Sequence, residues 1–237
     1  GRQVKTLAEM VTRLARVPLA NDPGSEWRYG ISTDLLGRLV EVISGKPLDK
    51  FFEDRIFRPL KMKDSSFAVP KGKLKRFAVN YSPSIGGKTV VYDDPKTSRY
   101  RKNPTFFAGG AGLVSTAEDY WRFSQMLLNG GELNGMRLLG RKTVKLMTMD
   151  HLPSDWPDIG PYPGSGFGLG FAVTRNVVRS RTLGSVGNYG WGGFASTWFW
   201  IDPEEELIVV FMTQLLPASA YPLRNELKTL IYQALID

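Results

Sequence analysis

Apolar residues recur at helical spacing through the first 150 residues and gather into extended runs after residue 164. A first helix is predicted where four apolar residues share one face, at Leu7, Met10, Val11 and Leu14. Thr6 and Glu9 form a capping box at its start, and Pro18 stops it. This amphipathic helix is predicted to lead to a turn at Pro23-Gly24.

The same periodicity predicts two further helices. The second is expected to bury Leu35, Leu36, Leu39, Val40 and Ile43, and Gly45 follows it where a left-handed cap is favoured. The third, in the segment PLDKFFEDRIF, is expected to pack Leu48, Phe51, Phe52 and Ile56 and to end before Pro59. Tyr29 therefore lies at the entrance of the second predicted helix.

A glycine-rich loop, FFAGGAGLVS, leads into a fourth predicted helix whose capping box is Ser115 with Glu118. The glycines indicate a close approach between backbone segments. The loop lacks the lysine and Ser/Thr ending of a P-loop and the spacing of a dinucleotide fingerprint. Phosphate binding by this loop is therefore not expected.

The last third of the chain predicts a sheet covered by a helix. Three extended runs are GFGLGFAVTR, GGFASTWFWID and ELIVVFMTQ, and the DPEE turn joins the last two as an antiparallel hairpin. A final helix is predicted to cover the apolar face of the sheet with Leu223, Leu227, Leu230, Ile231 and Leu235. The pattern contains no internal repeat and no linker between independently folding domains.

Composition narrows the classes of function. The 237 residues include no cysteine and one histidine, which excludes a disulfide framework, a Cys-ligated zinc and a His-rich metal site, and no cofactor is indicated. No apolar run approaches the ~20 residues that span a bilayer, and residues 1–20 do not resemble a secretion signal, so no membrane association is expected. The compartment, cytoplasmic or periplasmic, stays open.

The formal charge of +8 raises the question of nucleic-acid binding, because Lys and Arg concentrate between residues 71 and 102. That stretch also contains SPSIGG and DDP, which are typical of a long solvated excursion. No recognition-helix pattern accompanies it. The favoured interpretation is a solvated surface and no nucleic-acid partner.

Two common hydrolase arrangements are absent from the sequence. No serine has the Gly-x-Ser-x-Gly context of a nucleophile elbow, and Ser165 lacks the first glycine. A Ser-His-Asp triad would have to use His151, which lies in a polar, proline-rich segment and is expected to be a solvated bystander. Any nucleophilic chemistry must therefore follow another pattern.

Three segments resemble the superfamily of serine β-lactamases and penicillin-binding proteins. They are PGSEWRYGISTDLLGRLVEVISGKPLDKFFEDRIFRPLKMKDSSF, GGAGLVSTAEDYWRFSQMLLNGGELNGMRLL and GWGGFASTWFWIDPEEELIVVFMTQ. The closest branch is that of the family VIII carboxylesterases. The resemblance implies an α/β (α+β) fold of the β-lactamase/transpeptidase type, in which helices flank an antiparallel sheet beside a mostly helical subdomain. Residues 1–237 are expected to form the C-terminal portion of one such domain, with helices in 1–150 and strands in 164–237.

The resemblance also implies roles for six residues. Tyr29 matches the tyrosine that works with the Ser-x-x-Lys pair, and Ile31 stands where many relatives have asparagine. Trp191-Gly192-Gly193 stands on an edge strand in place of Lys-Thr-Gly, and the backbone N–H of Phe194 matches an oxyanion-hole donor. Losing the lysine removes a charge-assisted bond of ~1.5–3 kcal/mol to carboxylate substrates, which favours neutral esters. Without the resemblance, Tyr29 is best explained as a packing residue. For Trp191 the alternative is a core tryptophan beside glycines that allow close strand packing.

The expected function is a serine hydrolase that cleaves small acyl esters through an acyl-serine intermediate, although no serine is followed three positions later by lysine. The nucleophile is therefore expected on an N-terminal fragment or second chain that carries Ser-x-x-Lys; an inactive paralogue is the third explanation. Apolar surface and a sheet edge left uncovered would bind that piece or form a homodimer. The alternatives are β-lactamase or D-alanyl peptidase activity, acting on an amide, and a non-catalytic binding module.

Overall fold

The structure is a computed structural model that describes residues 4–84, 86–218 and 220–236. Contacts between residues divide the chain into two compact units. The first contains Gly1–Phe77 and Pro95–Asp119, and the second contains Ala78–Asp94 and Tyr120–Asp237. The predicted division into regions 1–150 and 164–237 stays a prediction.

The first unit is built from short helices around a small apolar core. Its helices are α1 (Leu7–Leu14), α2 (Ser32–Ser44) and α3 (Leu48–Phe52), followed by a π-helical turn at Glu53–Phe57 and 3-10 turns at Lys71–Arg76 and Arg99–Arg101. The core centres on buried Leu7, Leu48 and Phe67. Partly buried apolar side chains surround it, namely Met10, Val40, Phe52, Phe106 and Phe107.

The predicted start of α1 at Thr6 and the predicted end of α2 at Gly45 are confirmed, whereas α1 ends at Leu14, before Pro18. The Thr6 hydroxyl accepts from the Glu9 N–H at 3.1 Å, and a Glu9 carboxylate oxygen accepts from the Lys5 N–H at 2.9 Å. Gly45 has a φ of 67° and donates its N–H to the Glu41 carbonyl at 3.0 Å. Both ends satisfy backbone groups that a helix leaves unpaired.

The predicted buried face of α2 is wrong. Gly37 is the buried residue of this helix, and a Cβ there would lie 3.0 Å from Leu48 Cδ2 and 3.3 Å from Leu7 Cδ1. A glycine lets the helix approach its neighbours closely, so the side that contains Gly37 and Val40 faces the core. The opposite side stays largely exposed. We call this exposed set the α2 stripe: Leu35, Leu36, Leu39, Val42 and Ile43.

The second unit contains the antiparallel sheet. Its five strands are hydrogen-bonded in chain order: β5 (Ser165–Phe167), β6 (Ala172–Thr174), β7 (Tyr189–Gly192), β8 (Trp198–Asp202) and β9 (Leu207–Phe211). The predicted hairpin is confirmed, with Trp198 opposite Phe211 and Asp202 opposite Leu207. The run 166–175 forms two strands, and a turn at 193–197 interrupts the run 192–202.

Two small hairpins and four helices complete the chain. The hairpins are β1 (Asn80–Pro83) with β2 (Thr89–Asp93), and β3 (Glu132–Leu133) with β4 (Met136–Arg137). The helices are α4 (Ala117–Leu128), α5 (Arg141–Met147), α6 (Val177–Ser180) and α7 (Leu223–Tyr232). Within the described ranges, no helix has the length and apolar character needed to cross a membrane.

Helix α4 begins one residue later than the predicted capping box. Thr116 Oγ1 accepts from the Asp119 N–H at 3.2 Å, so the capping residue is Thr116 and the predicted Ser115–Glu118 pair is wrong. Ser115 Oγ lies 2.8 Å from Ser65 Oγ, with which it shares a hydrogen bond. Ser115 and Thr116 each have a hydroxyl and an acidic residue three positions later. The sequence pattern therefore fits both, and the prediction was one residue too early.

Helix α7 packs on the sheet, and the predicted face is confirmed in part, since Leu223, Leu227 and Ile231 are half-buried. Its buried residue is Lys228, whereas Leu230 is exposed and Leu235 lies beyond the end of the helix. The Tyr232 ring stacks near Trp200 of β8 with centroids 6.4 Å apart. A long lysine stem covers apolar surface as an aliphatic side chain does, which a hydrophobicity pattern does not register.

Candidate active site

Tyr29 is exposed at the entrance of α2, in the first unit. It precedes Ile31, the N-cap residue of the helix, by two positions. The side chain of Tyr29 is 71% exposed, and about half of Ile31 is exposed. The position predicted from the sequence is therefore the one observed, and a solely structural role in the core does not explain this tyrosine.

The glycine-rich loop holds the first turn of α2. Asp34 Oδ1 accepts from the Gly110 N–H at 3.3 Å. A Cβ on Gly109 would overlap the Thr33 carbonyl, and a Cβ on Gly110 would lie 2.5 Å from Thr33 Oγ1. The predicted close backbone approach is confirmed. Sequence reasoning missed Asp34, whose place in the first turn of a helix was the available signal.

Trp191 and Gly192 lie at the end of β7, in the second unit. This strand lies between β6 and β8, so the predicted edge strand is wrong for the strand as a whole. However, β6 pairs only with Tyr189 and Gly190, whereas β8 pairs along the full length of β7. Beyond β6, the Gly192 N–H donates to the Tyr162 hydroxyl at 3.1 Å. The Trp-Gly end of the strand is thus locally an edge.

The Trp191 ring belongs to an aromatic cluster. Its centroid lies 4.9 Å from that of Tyr162 and 5.6 Å from that of Phe167. The Trp191 side chain is half-buried, so it has packing partners and also retains exposed surface. Such a ring is able to form the apolar wall of a substrate site.

Gly192 and Gly193 have a structural reason to be glycine. A Cβ on Gly192 would overlap the guanidinium of Arg224 from α7, and a Cβ on Gly193 would overlap Thr197 Oγ1. Arg224 Nη2 donates to the Gly193 carbonyl at 3.3 Å and to the Thr197 carbonyl at 3.5 Å. Sequence reasoning missed Arg224, because no local pattern connects it with the Trp-Gly-Gly strand.

The turn that carries Phe194 is held from two sides. The Gly193 N–H donates to the Thr197 carbonyl at 2.8 Å, which closes the turn. The Leu215 N–H donates to the Ala195 carbonyl at 3.1 Å, and Ser196 Oγ donates to the Leu215 carbonyl at 2.8 Å. No carbonyl among residues 4–84, 86–218 and 220–236 accepts from the Phe194 N–H. A fixed turn with an unused N–H suits the stabilisation of a developing oxyanion.

Two other titratable groups of the second unit, Tyr189 and His151, have structural surroundings of their own. Burial raises the pKa of Tyr189, next to Gly190 on β7, and keeps that phenol protonated. His151 Nε2 lies 2.7 Å from the Leu146 carbonyl. Across the described part of the chain, no group of three or more His, Cys, Asp or Glu side chains is arranged to hold a metal ion.

The chain matches a known family over almost its whole length. The sequence profile of the Beta-lactamase family matches residues 1–233. Protein Rv1367c of Mycobacterium tuberculosis (strain ATCC 25618 / H37Rv) is 33% identical over 212 residues, which cover 86% of this chain and 52% of that protein. The relatives and structures that match include esterases and penicillin-binding proteins.

Two of the curated relatives carry names for an activity. EstB, an esterase of Burkholderia gladioli, is 29% identical over 229 residues, covering 87% of this chain and 54% of that protein. A protein of Escherichia coli (strain K12), provisionally named a D-alanyl-D-alanine carboxypeptidase, is 29% identical over 219 residues, covering 84% and 48%. The chain spans about half the length of the curated relatives it matches.

A solved structure shows the same fold. The structure of EstCE1, described as a hydrolase with promiscuous acyltransferase activity, aligns with a TM-score of 0.82 at 25% identity, covering 96% of this chain and 61% of that chain. The predicted fold class, helices with an antiparallel sheet of the β-lactamase/transpeptidase type, is therefore confirmed. The chain belongs to the Beta-lactamase family.

Proposed function

We propose that this protein contributes to a serine hydrolase that cleaves small acyl esters through an acyl-serine intermediate. The observation that carries the proposal is the segment Trp191-Gly192-Gly193-Phe194. It offers an aromatic ring in place of the cation that would bind a carboxylate, and the Phe194 N–H has no acceptor among the described residues. The name of EstB, an esterase, supports an ester as substrate, and the description of EstCE1 as a hydrolase with acyltransferase activity agrees with an acyl-transfer step.

The proposed roles follow from the superfamily resemblance. Tyr29 acts as the general base: its phenolate takes the proton from the serine hydroxyl as the serine oxygen bonds to the ester carbonyl carbon. The Phe194 N–H and the N–H of the serine stabilise the negative oxygen that forms. The Tyr29 phenol then returns the proton to the departing alkoxide, and water later hydrolyses the acyl-serine. Ile31 and Trp191 provide apolar contacts for the substrate.

We further propose that another stretch of polypeptide provides the serine, since none of the serines here is followed three positions later by lysine. An exposed apolar surface and a terminal strand of the sheet support an association. The α2 stripe presents five apolar side chains that are half-exposed or more. In the second unit, β9 ends the strand order of the described sheet, and its sequence LIVVF is apolar and without charge. Unpaired strand edges of this kind bind an additional strand.

The proposal is tested by reconstitution. Residues 1–237 are mixed with a separately produced polypeptide that carries Ser-x-x-Lys, and association is measured by light scattering while hydrolysis of p-nitrophenyl acetate is followed. We expect a 1:1 complex that hydrolyses the ester, and neither component active alone. A self-associated homodimer that excludes the second polypeptide would contradict the partner proposal. A stable complex without hydrolysis would contradict the catalytic one.

Tyr29→Phe separates catalysis from association. The variant keeps the aromatic ring and removes the hydroxyl, so the complex should form as before while kcat falls ~10²–10⁴-fold, the usual loss for a positioned general base. Tyr92→Phe is the matched control, because Tyr92 is also an exposed tyrosine and has no assigned role. Equal activity of Tyr29→Phe and the unsubstituted chain would remove Tyr29 from the mechanism and favour a non-catalytic binding module.

A carboxylate-bearing substrate is the second candidate, since one observation favours it. Arg224 lies against Gly192, and its buried Nε has no partner among the described residues. The E. coli relative named a D-alanyl-D-alanine carboxypeptidase agrees with an amide substrate that bears a carboxylate. The reconstituted complex should be offered nitrocefin and a D-alanyl-D-alanine peptide beside the ester. Faster turnover of either would favour this candidate over the esterase.

A further inference from the structure

A small polar cavity lies in the second unit, where α7 meets the sheet. Its volume is about 70 Å³. Its polar wall includes Ser165, Thr174, Thr182, Asn188, Asn225 and Lys228. Lys228 is the one side chain among these six that carries a charge, and only 6% of it is exposed. A buried ammonium is costly unless its donors and its charge are matched.

Lys228 has more hydrogen-bond donors than the protein has acceptors for it. An ammonium offers three N–H groups, and in the described residues one of them donates to Asn188 Oδ1 at 3.3 Å, while the ammonium also lies 5.8 Å from the centroid of the Tyr232 ring. No carboxylate of those residues lies within ion-pair distance of Lys228. Desolvation lowers the pKa of Lys228 to about 8 even though Asp202 opposes the shift.

Asp202 is committed to other donors. Its Oδ2 accepts from the Tyr232 hydroxyl at 2.5 Å and from the Ser185 N–H at 3.1 Å, while Oδ1 accepts from the Glu204 N–H at 3.2 Å. These bonds hold the carboxylate at the turn after β8. Asp202 therefore acts on Lys228 through its charge at a distance and not as a hydrogen-bond acceptor.

The remaining walls offer both donors and acceptors, since a hydroxyl or an amide supplies both. Asn188 Oδ1, which accepts from Lys228, also accepts from the Thr174 hydroxyl at 3.1 Å. The Ser165 hydroxyl has no hydrogen-bond partner within the described ranges. Ser165 and Lys228 thus face a common space with donors to spare. Such a space favours a ligand that accepts hydrogen bonds and carries negative charge.

We propose that this cavity binds one small anion, a carboxylate of formate or acetate size, through the Lys228 ammonium and the Ser165 hydroxyl. The small volume of the pocket, about 70 Å³, favours a ligand of this size over a larger acid. The bound anion would complete the donors of Lys228 and fasten α7 to the sheet. The pocket borders the Trp191 segment through Tyr162 and Gly190, but binding of the anion does not depend on the proposed hydrolase chemistry.

The test uses ¹³C-formate as the probe and the 237-residue chain as it is. Transverse relaxation of the formate carbon is measured against protein concentration, with unlabelled acetate and benzoate as competitors. We expect binding with a millimolar dissociation constant, competition by acetate and none by benzoate. Equal competition by benzoate, or relaxation unaffected by the protein, would overturn the proposal and leave a cavity that holds only water.

Two variants locate the site. Lys228→Met, similar in length and uncharged, should weaken formate binding at least tenfold, whereas Lys145→Met, at an exposed lysine of α5, should leave it unchanged. Ser165→Ala should weaken binding about threefold. Circular dichroism shows whether Lys228→Met is folded, and Ser165→Ala still tests the site if it is not. If both Lys228→Met and Ser165→Ala bind formate as the unsubstituted chain does, the assignment is wrong.

Discussion

At the scale of single residues, packing contacts explain some residues that also match an active-site motif. Gly192 faces the Arg224 guanidinium, and the Gly193 and Thr197 carbonyls both accept from that side chain. The glycine therefore has a packing role that holds whether or not the segment binds substrate. A motif residue with such a role is weaker support for function than Phe194, whose N–H has no acceptor within the described chain.

Gly192→Ala tests that packing role. The added methyl group would displace the Arg224 guanidinium from the Gly193 and Thr197 carbonyls, and we expect the free energy of unfolding to fall by about 0.5–1.5 kcal/mol, the usual net worth of a hydrogen bond. Urea denaturation measures the change. Gly72→Ala is the control, because a Cβ at Gly72 meets no atom within 4 Å and its φ needs no glycine. Equal stability of the two variants would contradict the packing role.

At the scale of elements, some features of α2 could be predicted from the sequence and others could not. Its existence, its end at Gly45 and the position of Tyr29 before it followed from spacing and turn chemistry. Its buried face did not, since periodicity identifies an apolar side but not the neighbour that it meets. Gly37 takes α2 close to Leu48, and this contact between distant segments leaves the α2 stripe exposed. Similarly, nothing local to Lys228 indicated that a charged residue forms the buried side of α7.

The α2 stripe gives a prediction at this scale. Leu39→Asn should change the free energy of unfolding of the 237-residue chain by less than about 1 kcal/mol, because the side chain is already half-exposed. Gly37→Val, on the buried side, should cost about 1–3 kcal/mol. The same Leu39→Asn variant should weaken association with the Ser-x-x-Lys polypeptide in light scattering. An undiminished association would exclude the α2 stripe from the interface.

Lys228 gives helix α7 a pH-dependent stability. Its pKa is about 8 in the folded chain and near 10.5 when unfolded, so between these values the unfolded chain binds more protons. Stability is therefore lowest below pH 8 and rises with pH, by about 2 kcal/mol between pH 7 and 10. Above pH 10 the buried tyrosines, among them Tyr120 with a pKa of about 12, reverse the trend.

Urea denaturation at pH 7, 8, 9 and 10, without added carboxylate, measures this dependence. The Lys228→Met variant should lack the rise, while Lys145→Met should retain it. If stability falls between pH 8 and 10 in the unsubstituted chain, or if Lys228→Met shows the same rise, desolvation of Lys228 is not its cause.

At the scale of the whole molecule, the chain belongs to the Beta-lactamase family, which explains why the three segments that resemble that superfamily occur in their observed order. The general fold class could be predicted because several segments recur in the order of a known superfamily. The length over which two strands pair could not be predicted, because it depends on where turns end the strands. The short pairing of β6 with β7 is an example. The proposed enzyme requires a serine that these 237 residues do not offer in a Ser-x-x-Lys context.

The position of a covalent adduct shows most directly whether the serine of the Ser-x-x-Lys polypeptide is the nucleophile. Residues 1–237, together with the Ser-x-x-Lys polypeptide, are treated with a fluorophosphonate, and peptide mass mapping identifies the labelled residue. We expect one adduct, on the serine of Ser-x-x-Lys. The Tyr29→Phe substitution should slow its formation ~10²-fold or more. An adduct on a serine within residues 1–237, or none in a complex that has formed, would contradict the proposal.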